Sequence, residues 1–405
     1  MLHRRTALAA AAIGTIGLAR PHLARAADTT GITATEIKVG NTAAYSGPAS
    51  VYGTIARSQA AYFRMINEAG GIAGRKITFI TYDDGYSPPK TVEQVRRLVE
   101  QDRVACLFQT LGTAANSAIV RYMNQRRVPH LFVGTGADKW GNYQDTPWTI
   151  GWQPSYRIET HIYMKHMLAE RPNARIGLLY QNDDFGKDYI IGARDILKER
   201  FDGMVRTVSH EVTDATVDSQ ILSLQAAGCD VLLTATTPKF AAQTIRRVHD
   251  IGWRPLHYLT NVSISAGTVM NPAGAEKGIG IITSAYLKDP TDPAWREDGG
   301  MRDWRAFMAR WFPEGDLLDA SNVYGYGAAI TLVQVLRQCG RELTRESLMR
   351  EAANLRDLEV PILLPGIRVS TSPTNFRPIR QMQLARWTGT TWERFGNVLE
   401  GSAVG

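Results

Sequence analysis

Only three cysteines stand among 405 residues, Cys106, Cys229 and Cys339, and none belongs to a CxxC pair. Zinc, iron–sulfur and thioredoxin-type readings therefore fail on spacing. Cys106 and Cys229 sit beside apolar β-rich runs and read as small buried residues, and a core of this size needs no disulfide. No apolar run reaches about 18 residues, so no membrane-spanning helix is expected. The sequence holds no GxSxG elbow, no HExxH and no GxxxxGK[ST], the usual marks of hydrolases, zinc peptidases and phosphate-binding NTPases. Gly134-Thr135-Gly136 opens like a dinucleotide loop but lacks the third glycine. Neither a catalytic residue nor a metal or cofactor site emerges. The eight histidines are scattered, and His161 and His166 lie five apart, off one helical face.

What is present is ordinary for a globular protein: 44 % hydrophobic and 21 % charged residues, with a formal charge of +7. The first 26 residues carry Arg4, Arg5, Arg20 and Arg25 and no acid; without these four the count is 42 basic against 39 acidic, a charge of +3. A nucleic-acid partner is not expected from so small an excess. Residues 1–26 have the parts of an export signal: Arg4-Arg5, a mild apolar run Ala7 to Ala19, and Ala24-Arg25-Ala26 before Ala27. Paired arginines favour the twin-arginine route over ordinary secretion, and an Ala-rich helix is the remaining alternative. Cleavage near Ala26 would put the mature chain in the periplasm, and with no Cys after that region no lipid anchor is expected there.

From Glu36 onward, short β-rich runs alternate with longer amphipathic segments. Strands are expected at Ile37 to Thr42, Lys76 to Tyr82, Ala105 to Gln109, His130 to Val133, Arg175 to Tyr180, Met204 to Glu211, Val231 to Thr234, His257 to Leu259 and Gly280 to Ser284. Helices are expected at Ser50 to Ala69 and Ser155 to Glu170, and a hairpin flanks Thr388-Gly389-Thr390. Such alternation implies an α/β fold with parallel sheets covered by helices. The series restarts after Trp148 to Pro154. This divides the chain into an N-terminal lobe, 36–150 plus 286–365, and a C-terminal lobe, 151–285 plus 366–400.

In open parallel sheets the loops after the strands form the ligand crevice. Tyr45 to Gly53, Leu111 to Ser117, Gly134 to Asp138 and Asn182 to Tyr189 are such loops. Thr113 is placed to cap the following helix, where free N–H groups and the helix dipole would also suit a carboxylate. Gly134 and Gly136 would let a ligand approach the backbone, or they are turn glycines. Tyr52 and Phe185 could clamp an apolar ligand body, or fill the core. Asp83-Asp84 ends a strand but is not expected to share a proton, since adjacent strand residues point to opposite faces.

Taken together, Ile37-Lys38-Val39-Gly40 leading to Ser46-Gly47-Pro48 and Tyr52-Gly53, Ile66 to Arg75, Tyr82-Asp83-Asp84, Tyr180 to Gly186 and Gly325 to Ala329 resemble a periplasmic solute-binding protein of an ABC importer, of the branched-chain amino acid (Leu/Ile/Val) binding type. The resemblance covers about Glu36 to Phe395. It implies two Rossmann-like lobes of the periplasmic-binding-protein type I fold, joined by three crossovers and closing on a small molecule, with an ABC permease as partner. The family's carboxylate-holding positions match Thr113, Gly134 and Gly136, and its aromatic positions match Tyr52 and Phe185. The family's cysteine pair is replaced by Tyr86 and Gly112. Family members that bind amino acids hold the ammonium on an acid in the loop after the strand near Leu259. Here that loop reads Thr260-Asn261-Val262-Ser263-Ile264-Ser265, without a carboxylate. A buried, unpaired ammonium is costly, so the expected ligand is an apolar or aromatic carboxylate without an amine, met by Asn261 and Tyr324 as well as the residues above. A monomer is expected, and no catalysis. The alternatives are an amino acid or amide ligand, a ligand-presenting sensor, or a hydrolase on a similar scaffold.

Overall fold

The computed structural model describes residues 27–401; the expected export signal lies outside them. Two sheets organise the chain. The first contains β1 (Glu36–Ala43), β2 (Lys76–Asp83), β3 (Cys106–Phe108), β4 (His130–Val133) and β5 (Thr149–Gly151) in the order β2-β1-β3-β4-β5, all parallel. The second contains β6 (Ile176–Gln181), β7 (Val205–His210), β8 (Val231–Ala235), β9 (Leu256–Leu259), β10 (Ile282–Ala285), β11 (Gln381–Trp387) and β12 (Trp392–Glu400), ordered β12-β11-β10-β9-β8-β6-β7. Its parallel part is extended by β11 and β12, which pair antiparallel as a hairpin at one edge. The fold is the doubly layered α/β class read from the alternation.

The runs rich in Val, Ile and Leu become strands because both faces of a parallel sheet are covered and every side chain is buried; β3, β4 and β8 have no exposed residue. The sequence pattern shows no sign of β5. Three residues are too few for a periodicity of their own, and Thr149–Gly151 is a strand only because β4 pairs with it.

Between β1 and β2, Ser50–Tyr52 forms a 3-10 turn that feeds α1 (Gly53–Glu68), and Gly70 and Gly71 at φ 100° and 73° end it. In the same lobe α2 (Pro88–Arg96) precedes β3 and α3 (Thr113–Arg126) follows it. In the second lobe α4 (Tyr156–Glu170) starts on Ser155, whose hydroxyl accepts from the N–H groups of Arg157 and Ile158, and packs on α5 (Asp184–Leu197). The helices Gly299–Trp311 and Ala320–Cys339 return to pack on α1.

The chain passes between the sheets after β5, after β10 and before β11. The last two passages touch: Leu287 bridges Leu363, the Lys288 N–H donates to the Ile362 carbonyl and the Leu364 N–H to the Tyr286 carbonyl, each at 2.9 Å. These passages lie together and bring the C-terminal edges of both sheets face to face.

Candidate functional site

Contacts across the facing edges hold the lobes together. The Tyr52 hydroxyl donates to the Val262 carbonyl at 2.7 Å, and Ser265 donates to Asp319 at 2.8 Å. On another side of the cleft the Asp138 N–H donates to Asp188 at 2.8 Å and Lys139 pairs with Asp184 at 2.6 Å. Between these contacts lies a cavity of about 90 Å³, enough for several waters or one small organic molecule.

Its wall draws on every part of the fold. Tyr52, Ile55, Leu111, Gly134 and Tyr324 come from the first lobe, and Asn261, Val262, Ile264, Ser284 and Trp392 from the second. Gln153, Tyr286, Leu287, Asp289, Asp292 and Trp295 come from the passages between them, with Arg394 of β12 beside them. The surface is predominantly apolar and aromatic. Trp152, buried behind it, fixes the Tyr324 ring edge-on at 5.1 Å and donates to Thr331 at 2.9 Å.

Of the residues singled out in the sequence, Tyr52, Gly134, Asn261 and Tyr324 stand in this wall. Thr113, Gly136 and Phe185 do not; they form a packed row beside it. Gly112, at φ 92°, is the N-cap of α3, so Thr113 is its first residue and does not cap the helix. Its hydroxyl meets that of Thr135 at 2.5 Å instead. Gly136 is required by the chain itself: a Cβ there would lie 2.5 Å from the Pro154 carbonyl oxygen, where the passage from β5 to α4 crosses it. Phe185 is buried edge-on against Tyr156 at 4.7 Å. The backbone of Gly134 is already used, its N–H donating to Thr110 and its carbonyl accepting from Gly112, so it contributes surface rather than a donor. Gly112 lies under the Tyr86 ring, which a Cβ would meet at 2.7 Å.

Beneath Asn261 and Ser284 is a group the sequence pattern did not single out. Glu159 of α4 is fully buried, and its carboxylate accepts from the Tyr163 hydroxyl at 2.6 Å, the Asn261 N–H at 2.8 Å and the Ser284 hydroxyl at 3.0 Å. Tyr189 donates to its other oxygen. Burial raises the carboxyl pKa, opposed by these donors. The network ties α4, α5 and the ends of β9 and β10 into a rigid floor.

Several wall residues carry buried polar atoms with no hydrogen-bond partner among the described residues. Asn261 Nδ2, Trp295 Nε1, Arg394 Nε and the Tyr324 hydroxyl are donors; Asp289 Oδ2 is an acceptor. Arg394 lies over the Trp295 ring at 4.2 Å and 3.6 Å from Asp292. Burial pushes the Asp289 carboxyl up to about 6. The loop after β9 indeed lacks an acid, but the cavity does not: Asp289 and Asp292 reach it from the passage after β10. No local sequence pattern marks a crossover as part of a site, so these two acids carry no signal in the chain itself.

The model of the periplasmic binding protein family matches residues 36–391. A curated relative, Leu/Ile/Val-binding protein homolog 7 of Brucella suis biovar 1, is 23 % identical over 265 residues, spanning 63 % of this chain and 65 % of the relative, a little under two thirds of its length. A substrate-binding periplasmic protein from Ralstonia solanacearum superposes with a TM-score of 0.80 at 24 % identity, covering 89 % of this chain and all of that one. A branched chain amino acid ABC transporter protein from Thermus thermophilus with bound valine superposes at 0.81 with 14 % identity, over 91 % of this chain and 97 % of that one. With two α/β lobes facing each other across a cavity and a family match over most of its length, the chain belongs to the periplasmic binding proteins of type I fold.

Proposed function

We propose that the chain is the extracytoplasmic solute-binding component of an ABC importer, and that its cavity takes a small apolar or aromatic carboxylate and hands it to a membrane permease. The observation that carries this reading is the make-up of the cavity wall. Aromatic and aliphatic side chains from both lobes surround it, and Asn261, Trp295 and the Tyr324 hydroxyl bring buried donors without hydrogen-bond partners among the described residues, with Arg394 paired to Asp292 and Asp289 as the unpartnered acceptor. Buried donors gain most from an acceptor-rich ligand. The relatives named for Leu/Ile/Val or branched-chain amino acid binding lend support to transport as the role, and residues 1–26 to export into the periplasm.

The mechanism is binding without bond-making. A solute touching Tyr52 and Tyr324 on one side and Asn261, Val262 and Trp392 on the other gains contacts only when the lobes are together, so it shifts the open–closed equilibrium toward closed. Burying about 200 Å² of an aromatic body contributes about 5 kcal/mol, and a charge-assisted hydrogen bond adds about 1.5–3 kcal/mol. Micromolar affinity requires about 8 kcal/mol, so the wall suffices for it once ordering costs are met.

A second reading, an amino acid ligand, is favoured by Asp289 and Asp292, which could face an ammonium. Isothermal titration of the mature chain with leucine and with 3-phenylpropanoate separates the two. The proposal expects heat from the acid and none from leucine; tight leucine binding with no response to the acid refutes it.

A further inference from the structure

Asp289 stands out among the wall residues because half of its carboxylate is used and half is not. Oδ1 accepts from the N–H of Thr291 at 2.8 Å and from the Thr291 hydroxyl. Oδ2 is buried and accepts from nothing among the described residues. The cation next to it in sequence is not available: Lys288 donates to both oxygens of Asp298 at 2.7 and 2.8 Å and to the Pro361 carbonyl at 2.7 Å. Arg394 is held over Trp295 and beside Asp292, not on Asp289. An acceptor buried without a donor loses its hydration for no return. Asp289 nevertheless lines the cavity, on a segment fixed by the Lys288–Ile362 hydrogen bond of the touching passages.

We propose that Asp289 is a specificity-determining residue, whose Oδ2 accepts a hydrogen bond from an O–H or N–H group of the solute that is separate from the solute's carboxylate. The solute is then bifunctional, an apolar or aromatic acid bearing a hydroxyl or amino substituent. The local charge agrees. With Lys288 neutralised by Asp298, the remaining groups are Arg394, Asp289 and Asp292, a net negative set that disfavours a second carboxylate here and accepts a neutral or cationic donor. This inference rests on the solute reading above only for the acid part of the ligand.

The test is a matched series titrated into the mature protein: 3-phenylpropanoate, its 4-hydroxy and 4-amino derivatives, and its 4-methoxy derivative, in which the donor is blocked. The hydroxy or the amino acid should bind at least about tenfold more tightly than the unsubstituted and methoxy acids, and the better of the two identifies the donor. In Asp289→Asn the carbonyl oxygen keeps the Thr291 hydrogen bonds while an NH₂ replaces Oδ2, so the preference for the better of the two over 3-phenylpropanoate should vanish; a preference of unchanged size in the variant overturns the proposal. Equal binding of all four acids to the unaltered protein overturns the proposal. Should no acid bind while phenylalanine and tyrosine do, the amine-free reading fails by itself. Asp289 is then judged by the same factor of tyrosine over phenylalanine, and equal affinity for the two, or no binding of either, overturns it.

Discussion

Removing the carboxylate of Glu159 probes the floor of the cavity and the fold at once. In Glu159→Ala four donors lose their acceptor, but they do not lose equally. Tyr163 also lies 2.8 Å from the Leu259 carbonyl and Tyr189 lies 2.5 Å from Thr260, so both hydroxyls can turn to other acceptors. The Asn261 N–H is fixed by the backbone and has no alternative among the described residues, whereas Ser284 can turn to the Tyr163 hydroxyl at 3.2 Å or the Met382 sulfur at 3.4 Å. One or two orphaned donors at about 1–3 kcal/mol each, with the void left by the shortened side chain, place the loss at roughly 2–5 kcal/mol. Against a typical stability of about 5–15 kcal/mol this is large. Glu159→Gln keeps one carbonyl oxygen for Tyr163, Asn261 and Ser284 and turns its NH₂ toward Tyr189, whose hydroxyl can accept. Because burial raises the carboxyl pKa, the ionised form costs stability above the unfolded pKa, and the neutral amide is spared that cost. Glu159→Gln should therefore stay within about 1 kcal/mol of the unaltered protein. Urea unfolding followed by tryptophan fluorescence measures both. A Glu159→Ala variant as stable as the unaltered protein would refute the account of the floor.

Three further outcomes follow from single contacts. Tyr52→Phe removes the hydroxyl that donates to Val262 across the cleft, at a cost of about 1 kcal/mol, so solute affinity should fall roughly fivefold in titration while stability to urea stays nearly constant. Gly112→Ala forces a Cβ onto the Tyr86 ring at a φ of 92° and should destabilise the first lobe by about 1–3 kcal/mol, seen as a lower melting temperature. Asp188 accepts the Asp138 N–H across the cleft, and burial, with Asp138 and Asp184 nearby and Lys139 opposing them, pushes its pKa up to about 7 from 3.8. Its native form binds a proton that the unfolded form has lost, so its contribution to stability falls as pH rises from about 4 to 7. Asp188→Asn should flatten that slope and melt higher than the unaltered protein at pH 8, and an unchanged pH profile would contradict the assignment.

The strands were legible because burial on both faces leaves uninterrupted runs such as Val231–Ala235, and the loops after them pointed to the cleft. Tyr52 and Gly134 lie in the cavity wall by that rule. The same rule placed weight on Thr113, Gly136 and Phe185, whose polar and steric roles are taken by neighbouring protein groups: Thr135, the Pro154 carbonyl and the Tyr156 ring. Asp289, Trp295 and Arg394 were not legible. They reach the cavity through the passage after β10 and the edge strand β12, elements whose place is set by long-range pairing rather than by local pattern. Glu159 likewise reads as one acid on a helix until the fold brings three other elements to it.

The central claim is that solute binds between the lobes, against Tyr52, Tyr324 and Trp295. Its most direct test is a crystal structure of the mature protein with 3-(4-bromophenyl)propanoate, located by the anomalous scattering of bromine. The account predicts one strong peak inside the interlobe cavity. A peak confined to the surface groove near Arg75 and Arg341, with the cavity empty of ligand density, would contradict it.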